Sequence, residues 1–246
     1  MLLWGQTEEN PSITPQFSFG YGVDRLLTSF TFKIKIRFFN QALHLGGHSN
    51  NPPQQQALNV VCYATITAIF LITMYNKFEV ANHLRPDFKR SKFQSLNSWN
   101  LGWELLEPIN IATDDEESEL ELSTCLSPGQ KALYFIWYLD AQVTNGGFIQ
   151  FYWNGYRKYL EPILEGLKLI GDTIMLDLVQ KVDQEYLIHQ NKFQEQQELD
   201  DLEPLYDQLP KFDEYDDVFY KHHDQTMALI EKYARTNTQE FVTLVD

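Results

Sequence analysis

Carboxylates dominate the chemistry that this chain could perform. Residues 96–246 carry ten basic and twenty-nine acidic side chains, whereas residues 1–95 carry nine basic and five acidic ones. The two segments therefore have formal charges of −19 and +4, which give the whole chain its net charge of −15. An acidic surface of this kind repels nucleic acid and attracts basic molecules. The charge predicts no direct binding of nucleic acid and favours a basic protein as the partner.

The acidic residues occur in two runs, at residues 113–119 and 195–217. The second run holds ten carboxylates, with aromatic and leucine side chains between them that can anchor it to a core. Duplex DNA presents about one negative charge per 1.7 Å of its axis, and rigidly held carboxylates could imitate that density. The alternative is a solvated face without a partner. The predicted partner-binding residues are Asp114, Asp115, Glu116, Glu117, Asp200, Asp201, Glu203, Asp213, Glu214, Asp216 and Asp217.

The histidines and cysteines do not form a catalytic or metal-binding pattern. His222 and His223 are adjacent, so on a helix they point about 100° apart and cannot easily hold one ion. Glu185 and His189 have one-face spacing but lack the second pair that a two-metal bundle needs. The two cysteines have neither metal nor redox spacing, which is typical of a reducing compartment. We therefore expect a cytoplasmic protein that is not an enzyme and has no cofactor or metal.

Amide side chains near a glycine pair offer an alternative function. Asn145, Gln150 and Asn154 could orient a polar ligand in an enzyme or small-ligand pocket. The other interpretation is that these amides cap helix ends and satisfy backbone groups. A concave, solvated pocket would favour the first interpretation, and a continuous negative face would favour the protein-binding function.

The amides lie in the most distinctive segment of the chain, Asn145-Gly146-Gly147-Phe148-Ile149-Gln150-Phe151-Tyr152-Trp153-Asn154-Gly155. A hydroxyl cap at Ser127 followed by proline predicts a helix start. That helix is expected to stop at Asn145-Gly146, because glycine and asparagine favour helix ends. A short aromatic helix over 147–153 should follow. The segment is therefore predicted to be a helix junction in the core, with Asn145, Gly146, Gly147, Phe148, Gln150 and Asn154 as its structural motif.

The remaining periodicity predicts an all-α domain of about six to eight helices over residues 96–246. Apolar side chains recur at helical spacing through most of this region. The expected elements are a short amphipathic helix over 98–107, a helix from Glu161-Pro162 to Gly171, a helix capped by Asp172, a glutamine-rich connector over 190–197, a long helix over about 213–234 and a short one from Thr238.

Residues 1–95 read as a poorly organised N-terminal extension. Residues 57–75 contain nineteen residues without a charge, close to the roughly 20 apolar residues that cross a bilayer. This segment predicts either a membrane span or a buried core helix. If it spans a membrane, the basic residues that follow it place the acidic domain in the cytoplasm. A membrane-tethered structural domain is therefore a further alternative.

Residues from about 99 to 245 resemble a bacterial family of small α-helical domains with an Asn-Gly-Gly-Phe motif. The likeness rests on Asn145 to Asn154, on Leu126-Ser127-Pro128-Gly129-Gln130, on the tryptophan-rich segment 99–108 and on Leu164-Glu165-Gly166-Leu167. The family's characterised representative is a DNA mimic protein. The resemblance implies an all-helical fold and, through that representative, the blocking of a DNA-binding regulator by acidic side chains. The shared motifs imply fold determinants rather than an active site.

Overall fold

The computed structural model describes residues 74–113 and 116–246, without the side chains of residues 116 and 117. The described part is all-α, as the sequence predicts, and holds nine bounded α-helices in addition to helical residues 74–76. The helices are α1 (Arg90–Ser95), α2 (Ser98–Leu106), α3 (Glu116–Leu122), α4 (Pro128–Trp153), α5 (Leu160–Ile170), α6 (Thr173–Leu199), α7 (Glu203–Gln208), α8 (Lys211–Thr236) and α9 (Thr238–Phe241).

Two short strands join the end of the chain to the segment before α1. Strand β1 (Asp87–Lys89) pairs in parallel with β2 (Thr243–Val245), and Phe88 lies opposite Leu244. Phe88 is buried, so the pair contributes to the core. The described residues all belong to one compact unit. The domain boundary predicted between residues 95 and 96 stays a prediction.

Helix α4 lies at the centre of the core and packs against α5 and α8. Its backbone is not helical at Gly146, with φ −160° and ψ 31°, or at Gly147, with φ 70° and ψ −177°. Helix α4 therefore consists of two helices that meet at a kink, as the glycine pair predicts. We call residues 145–148 the glycine joint.

The start of α4 also holds the C-terminal segment in place. The Ser127 hydroxyl caps the helix by accepting a hydrogen bond from the Gln130 backbone N–H at 3.1 Å. The Gln130 side-chain oxygen in turn accepts one from the Ser127 backbone N–H at 2.9 Å. The amide of Gly129 donates to the Glu240 carboxylate at 2.7 Å, and the Gln130 side chain donates to the Phe241 carbonyl at 3.1 Å. These residues of the family-like motif are thus fold determinants that connect α4 to α9.

The glutamine-rich connector was predicted incorrectly. Residues 190–197 continue α6 to Leu199 without interruption. Glutamine, glutamate and lysine are good helix formers, and Phe193 is buried against the aromatic core. Local composition therefore favours the helix, and the buried phenylalanine holds it to the domain.

The hydrophobic segment 57–75 lies outside the described residues except for Met74 and Tyr75. Where the structure is described, it contains no helix long and apolar enough to cross a membrane. The expectations for residues 1–73 stay predictions.

Candidate protein-binding surface

Six of the predicted binding carboxylates lie exposed on α7, α8 and the turns before them. The chain leaves α6 through Asp200, which has a left-handed backbone with φ 54° and is exposed. Helix α7 and the start of α8 follow directly. The other five exposed residues, which we call the acidic face, are Asp201, Glu203, Asp213, Glu214 and Asp217.

Helix α8 arranges its exposed acids in a row. Asp213, Asp217, Tyr220 and Asp224 are exposed and have i, i+4, i+7, i+11 spacing, which places them on one side of a helix. At a rise of about 1.5 Å per residue the row extends roughly 16 Å. The opposite side carries buried residues such as Phe219. The row of exposed acids on α8 therefore extends beyond the acidic face to Asp224.

The acids of α7 and α8 come together over the glycine joint. The hydroxyl of Tyr206 donates to the Gly146 carbonyl at 2.9 Å, which fixes α7 on the joint. Burial, together with the nearby carboxylates of Glu203, Asp216 and Asp213, raises the pKa of Tyr206 to about 12. Carboxylates from two helices thus lie close to a single hydroxyl group.

Asp216 lies at the joint itself and is half-buried. Its carboxylate accepts a hydrogen bond from the Phe148 amide at 2.8 Å, at the start of the second half of α4. A Cβ atom at position 147 would overlap this carboxylate, so only glycine leaves room for the contact. Burial, opposed by the Phe148 hydrogen bond and assisted by the charges of Asp213 and Asp217, raises the pKa of Asp216 to about 6. Asp216 therefore acts as a scaffold residue within the acidic segment.

Acidic side chains far outnumber basic ones in the segment that carries the acidic face. Residues 198–217 contain nine acids and one base, Lys211, and this lysine pairs with Glu185 on α6. Within the described part of the chain, the five residues of the acidic face form no ion pair, in contrast to Glu104, Asp177 and Asp183, which pair with basic side chains. The surface thus keeps a net negative charge.

Four predicted binding residues cannot be placed on this surface. Asp114 and Asp115 lie outside the described residues, and so do the side chains of Glu116 and Glu117. Their part in binding stays a prediction.

The amide residues of the joint bond to one another. The Gln142 side-chain oxygen accepts from Gln150 at 3.1 Å and from Asn154 at 2.8 Å. Asn145 donates to the Gln150 side-chain oxygen at 2.8 Å. This network connects the two halves of α4 across the kink. Gln142 was not predicted as part of this network. The available signal was its place twelve residues before Asn154 in a segment with helical periodicity.

One carboxylate of the first acidic run lies inside the core. Glu119 is 2% exposed and accepts hydrogen bonds from the hydroxyls of Tyr134 at 2.8 Å, Tyr138 at 2.6 Å and Tyr159 at 2.5 Å. Burial raises the pKa of all three tyrosines, so they remain donors. Sequence reasoning grouped this region with solvated acids and missed the buried role of Glu119.

The order of these elements has a counterpart among known proteins. Residues 124–237, from the turn before α4 to the end of α8, match the sequence model of a family described as DMP19-like protein. After this match, we call residues 124–237 the DMP19-like domain. Over 124 residues the chain is 28% identical to the DNA mimic protein DMP19 of Neisseria meningitidis serogroup B, strain ATCC BAA-335 / MC58, an alignment that covers 49% of this chain and 75% of that protein.

The DMP19-like domain contains the main features of the candidate surface. Both halves of α4, the glycine joint, α7 and all of α8 fall within the matched residues. The family resemblance predicted from the sequence is therefore confirmed, and the match includes the helices that carry the acidic face.

Proposed function

We propose that the DMP19-like domain binds a basic DNA-binding protein and acts as a DNA mimic rather than as an enzyme. The acidic face would occupy the surface with which that protein otherwise contacts DNA phosphates. The observation that carries this proposal is the set of exposed, unpaired carboxylates that α7 and α8 hold over the glycine joint. The name of the similar Neisseria protein, a DNA mimic, supports the same function.

A mimic gains affinity when its charges are already in place before binding. Helix α8 is anchored by Phe212 and Phe219, which are buried, and by the ion pair between Lys211 and Glu185. Helix α7 is anchored by buried Leu205 and by the Tyr206 hydroxyl on the joint. Little backbone order therefore has to be gained on docking, which lowers the entropic cost of association.

The exposed position of these carboxylates determines the expected behaviour in salt. Long-range attraction between solvent-exposed charges is screened with a Debye length of about 10 Å at 0.1 M salt. Association should therefore be fast and tight at low ionic strength and weaken steeply as salt is added.

A capture experiment tests the proposal. The full chain is immobilised, exposed to lysate of the native host at low salt, and then washed with short duplex DNA. We expect a basic DNA-binding protein to be retained and then released by the duplex, because both ligands compete for one surface. Retention of proteins that duplex DNA does not release, or of no protein, would reject DNA mimicry.

A pair of charge-matched variants assigns the binding to the acidic face. The test variant carries Asp201→Asn, Glu203→Gln, Asp213→Asn and Asp217→Asn. The control removes four exposed acids from other helices and changes the net charge by the same amount. We expect the test variant to lose capture and the control to keep it; equal losses would show that only overall charge matters. The control substitutions are Glu121→Gln, Glu161→Gln, Glu165→Gln and Asp177→Asn.

A further inference from the structure

An open groove lies beside the far end of the acidic row on α8. It is formed between the start of α2 and the middle of α8, and its volume is about 480 Å³. The groove has an aromatic side chain, a histidine and a carboxylate in its wall. The lining residues are Asn97, Ser98, Trp99, His223, Asp224 and Met227.

Trp99 forms a firm aromatic wall of this groove. Its ring lies 4.9 Å from the ring of Trp137 at an angle of 34°, and it is still 44% exposed. The start of α2 is fixed by the Asn97 cap and by a 2.5 Å hydrogen bond from Ser98 to Glu231 on α8. The indole is therefore held in place while part of its surface faces solvent.

The charges around the groove leave it negative. The His223 ring has its Nε2 atom 2.5 Å from the buried Asp140 carboxylate and its Nδ1 atom 3.6 Å from that of Asp224. When protonated, His223 balances the charge of Asp140, which is 3% exposed. Asp224 is fully exposed, so its charge remains available to a ligand.

We propose that this groove receives an arginine side chain of the basic partner. The guanidinium group would stack on the exposed part of Trp99 and pair with the Asp224 carboxylate. A planar guanidinium stacks on an indole and is less strongly hydrated than an ammonium group, so arginine fits this pair of surfaces better than lysine.

For the identity of the partner, this inference rests on the proposed function. The position of the groove connects the two. Asp224 is the last acid of the row that begins with Asp213 and Asp217. A protein lying along this row would place one of its side chains at the groove. Buried aromatic and arginine contacts commonly supply a large share of binding energy, whereas exposed ion pairs supply little each. The groove would therefore give the acidic face a specific anchor.

A titration with N-acetyl-L-arginine amide tests the groove without any partner protein. Binding is followed by the indole N–H signals in nitrogen-15 correlation spectra, and Trp99→Phe assigns the Trp99 signal. We expect a saturable shift of that signal, which Asp224→Asn weakens about fivefold, the scale of one exposed ion pair. Asp217→Asn, which removes the same charge from the same helix, should change the apparent affinity less than twofold. N-acetyl-L-lysine amide should bind more weakly than the arginine probe.

The outcomes separate this inference from the proposed function. Absence of a saturable Trp99 shift, or equal effects of Asp224→Asn and Asp217→Asn, would overturn the arginine site. With the captured protein, Trp99→Leu should weaken binding at high as well as low salt, because stacking is only weakly screened. If duplex DNA releases no captured protein, the DNA-mimic function fails, while the arginine titration still decides whether the groove binds guanidinium.

Discussion

Glu119 and the acidic face use the same functional group in opposite surroundings. Glu119 is buried and accepts three tyrosine hydroxyl groups, whereas Asp201, Glu203 and Asp217 are exposed and form no ion pair in the described chain. A buried carboxylate is tolerated only when donors replace its water shell. An exposed carboxylate costs little free energy, and its charge is accessible to other molecules. Surroundings, rather than the number of acids, therefore separate scaffold residues from the residues that we propose to bind a partner.

Asp216 lies between these two extremes. It belongs to the acidic segment by sequence, but it accepts the Phe148 amide at the glycine joint and its pKa is raised to about 6. It therefore contributes to the scaffold and, when ionised, to the negative potential of the surface. The four variants below test this division, from the largest expected effect on stability to the smallest.

Removal of the buried carboxylate should have the largest effect. Glu119→Ala leaves three tyrosine hydroxyls without their acceptor, and we expect a loss of about 3 kcal/mol in the free energy of unfolding. Urea denaturation followed by circular dichroism measures the loss. Glu121→Ala, two residues away on the same helix and exposed, should cost less than about 0.5 kcal/mol. Similar losses in the two variants would contradict the scaffold role of Glu119.

The glycine joint should be the next most sensitive position. Gly147→Ala forces a side chain to a φ of 70° and into the Asp216 carboxylate, so we expect a loss of about 2–3 kcal/mol. Gly155 has a similar φ of 73° with no atom near its Cβ position. Gly155→Ala should therefore cost only the backbone strain, about 1 kcal/mol. Thermal or urea unfolding of both variants measures the extra cost at the joint, which combines the overlap with the ψ of −177° at Gly147, where Gly155 has 14°. Equal losses would contradict a special constraint at the joint.

The pH dependence of stability should report Asp216. Its folded pKa of about 6 exceeds its ordinary value of 3.8, so the folded state binds the proton more tightly. Stability from this group is fully present below about pH 4 and is lost as the pH rises through about 6. We expect Asp216→Asn to be about 1 kcal/mol more stable than the wild type at pH 7 after allowance for solvent screening, and to lose this advantage near pH 4.

Asp217→Asn provides the control for that experiment. It removes the same charge from the adjacent, exposed position. Its stability relative to the wild type should vary much less between pH 4 and pH 7. A constant difference between Asp216→Asn and the wild type over this range would argue against a buried, proton-binding Asp216.

The acidic face should contribute least to folding. The variant with Asp201→Asn, Glu203→Gln, Asp213→Asn and Asp217→Asn removes no ion pair that the described residues form, and it relieves repulsion among like charges. We expect each substitution to change the free energy of unfolding by less than about 0.5 kcal/mol at low salt. Urea denaturation at low and high salt provides the measurement. A large loss of stability would place these residues in the scaffold.

The features that were predicted correctly are controlled by neighbouring residues. Ser127 with Pro128 caps α4, Asp172 caps α6, and the glycine joint interrupts α4 as expected. Each depends on backbone preferences or hydrogen bonds within a few residues. Local chemistry of this kind can be read directly from a sequence.

The features that were missed depend on distant contacts. Nothing near Glu119 indicates that Tyr159 will donate to it, and nothing near Asp216 indicates the Phe148 amide sixty-eight residues away. The end of α6 depends in the same way on the burial of Phe193. The acidic run could be recognised from composition, but its division into buried and exposed members required the packing of α4 against α8.

The salt dependence of partner binding is the most direct test. The partner is the protein that is captured by this chain and released by duplex DNA. Its affinity for the wild type, the acidic-face variant and the charge-matched control is measured between about 50 and 300 mM salt. Over this range the Debye length falls from about 14 Å to about 6 Å. We expect log affinity to fall steeply with log salt for the wild type and the control, and the acidic-face variant to bind weakly with a much shallower slope. Identical slopes for all three proteins would contradict a binding role for the acidic face.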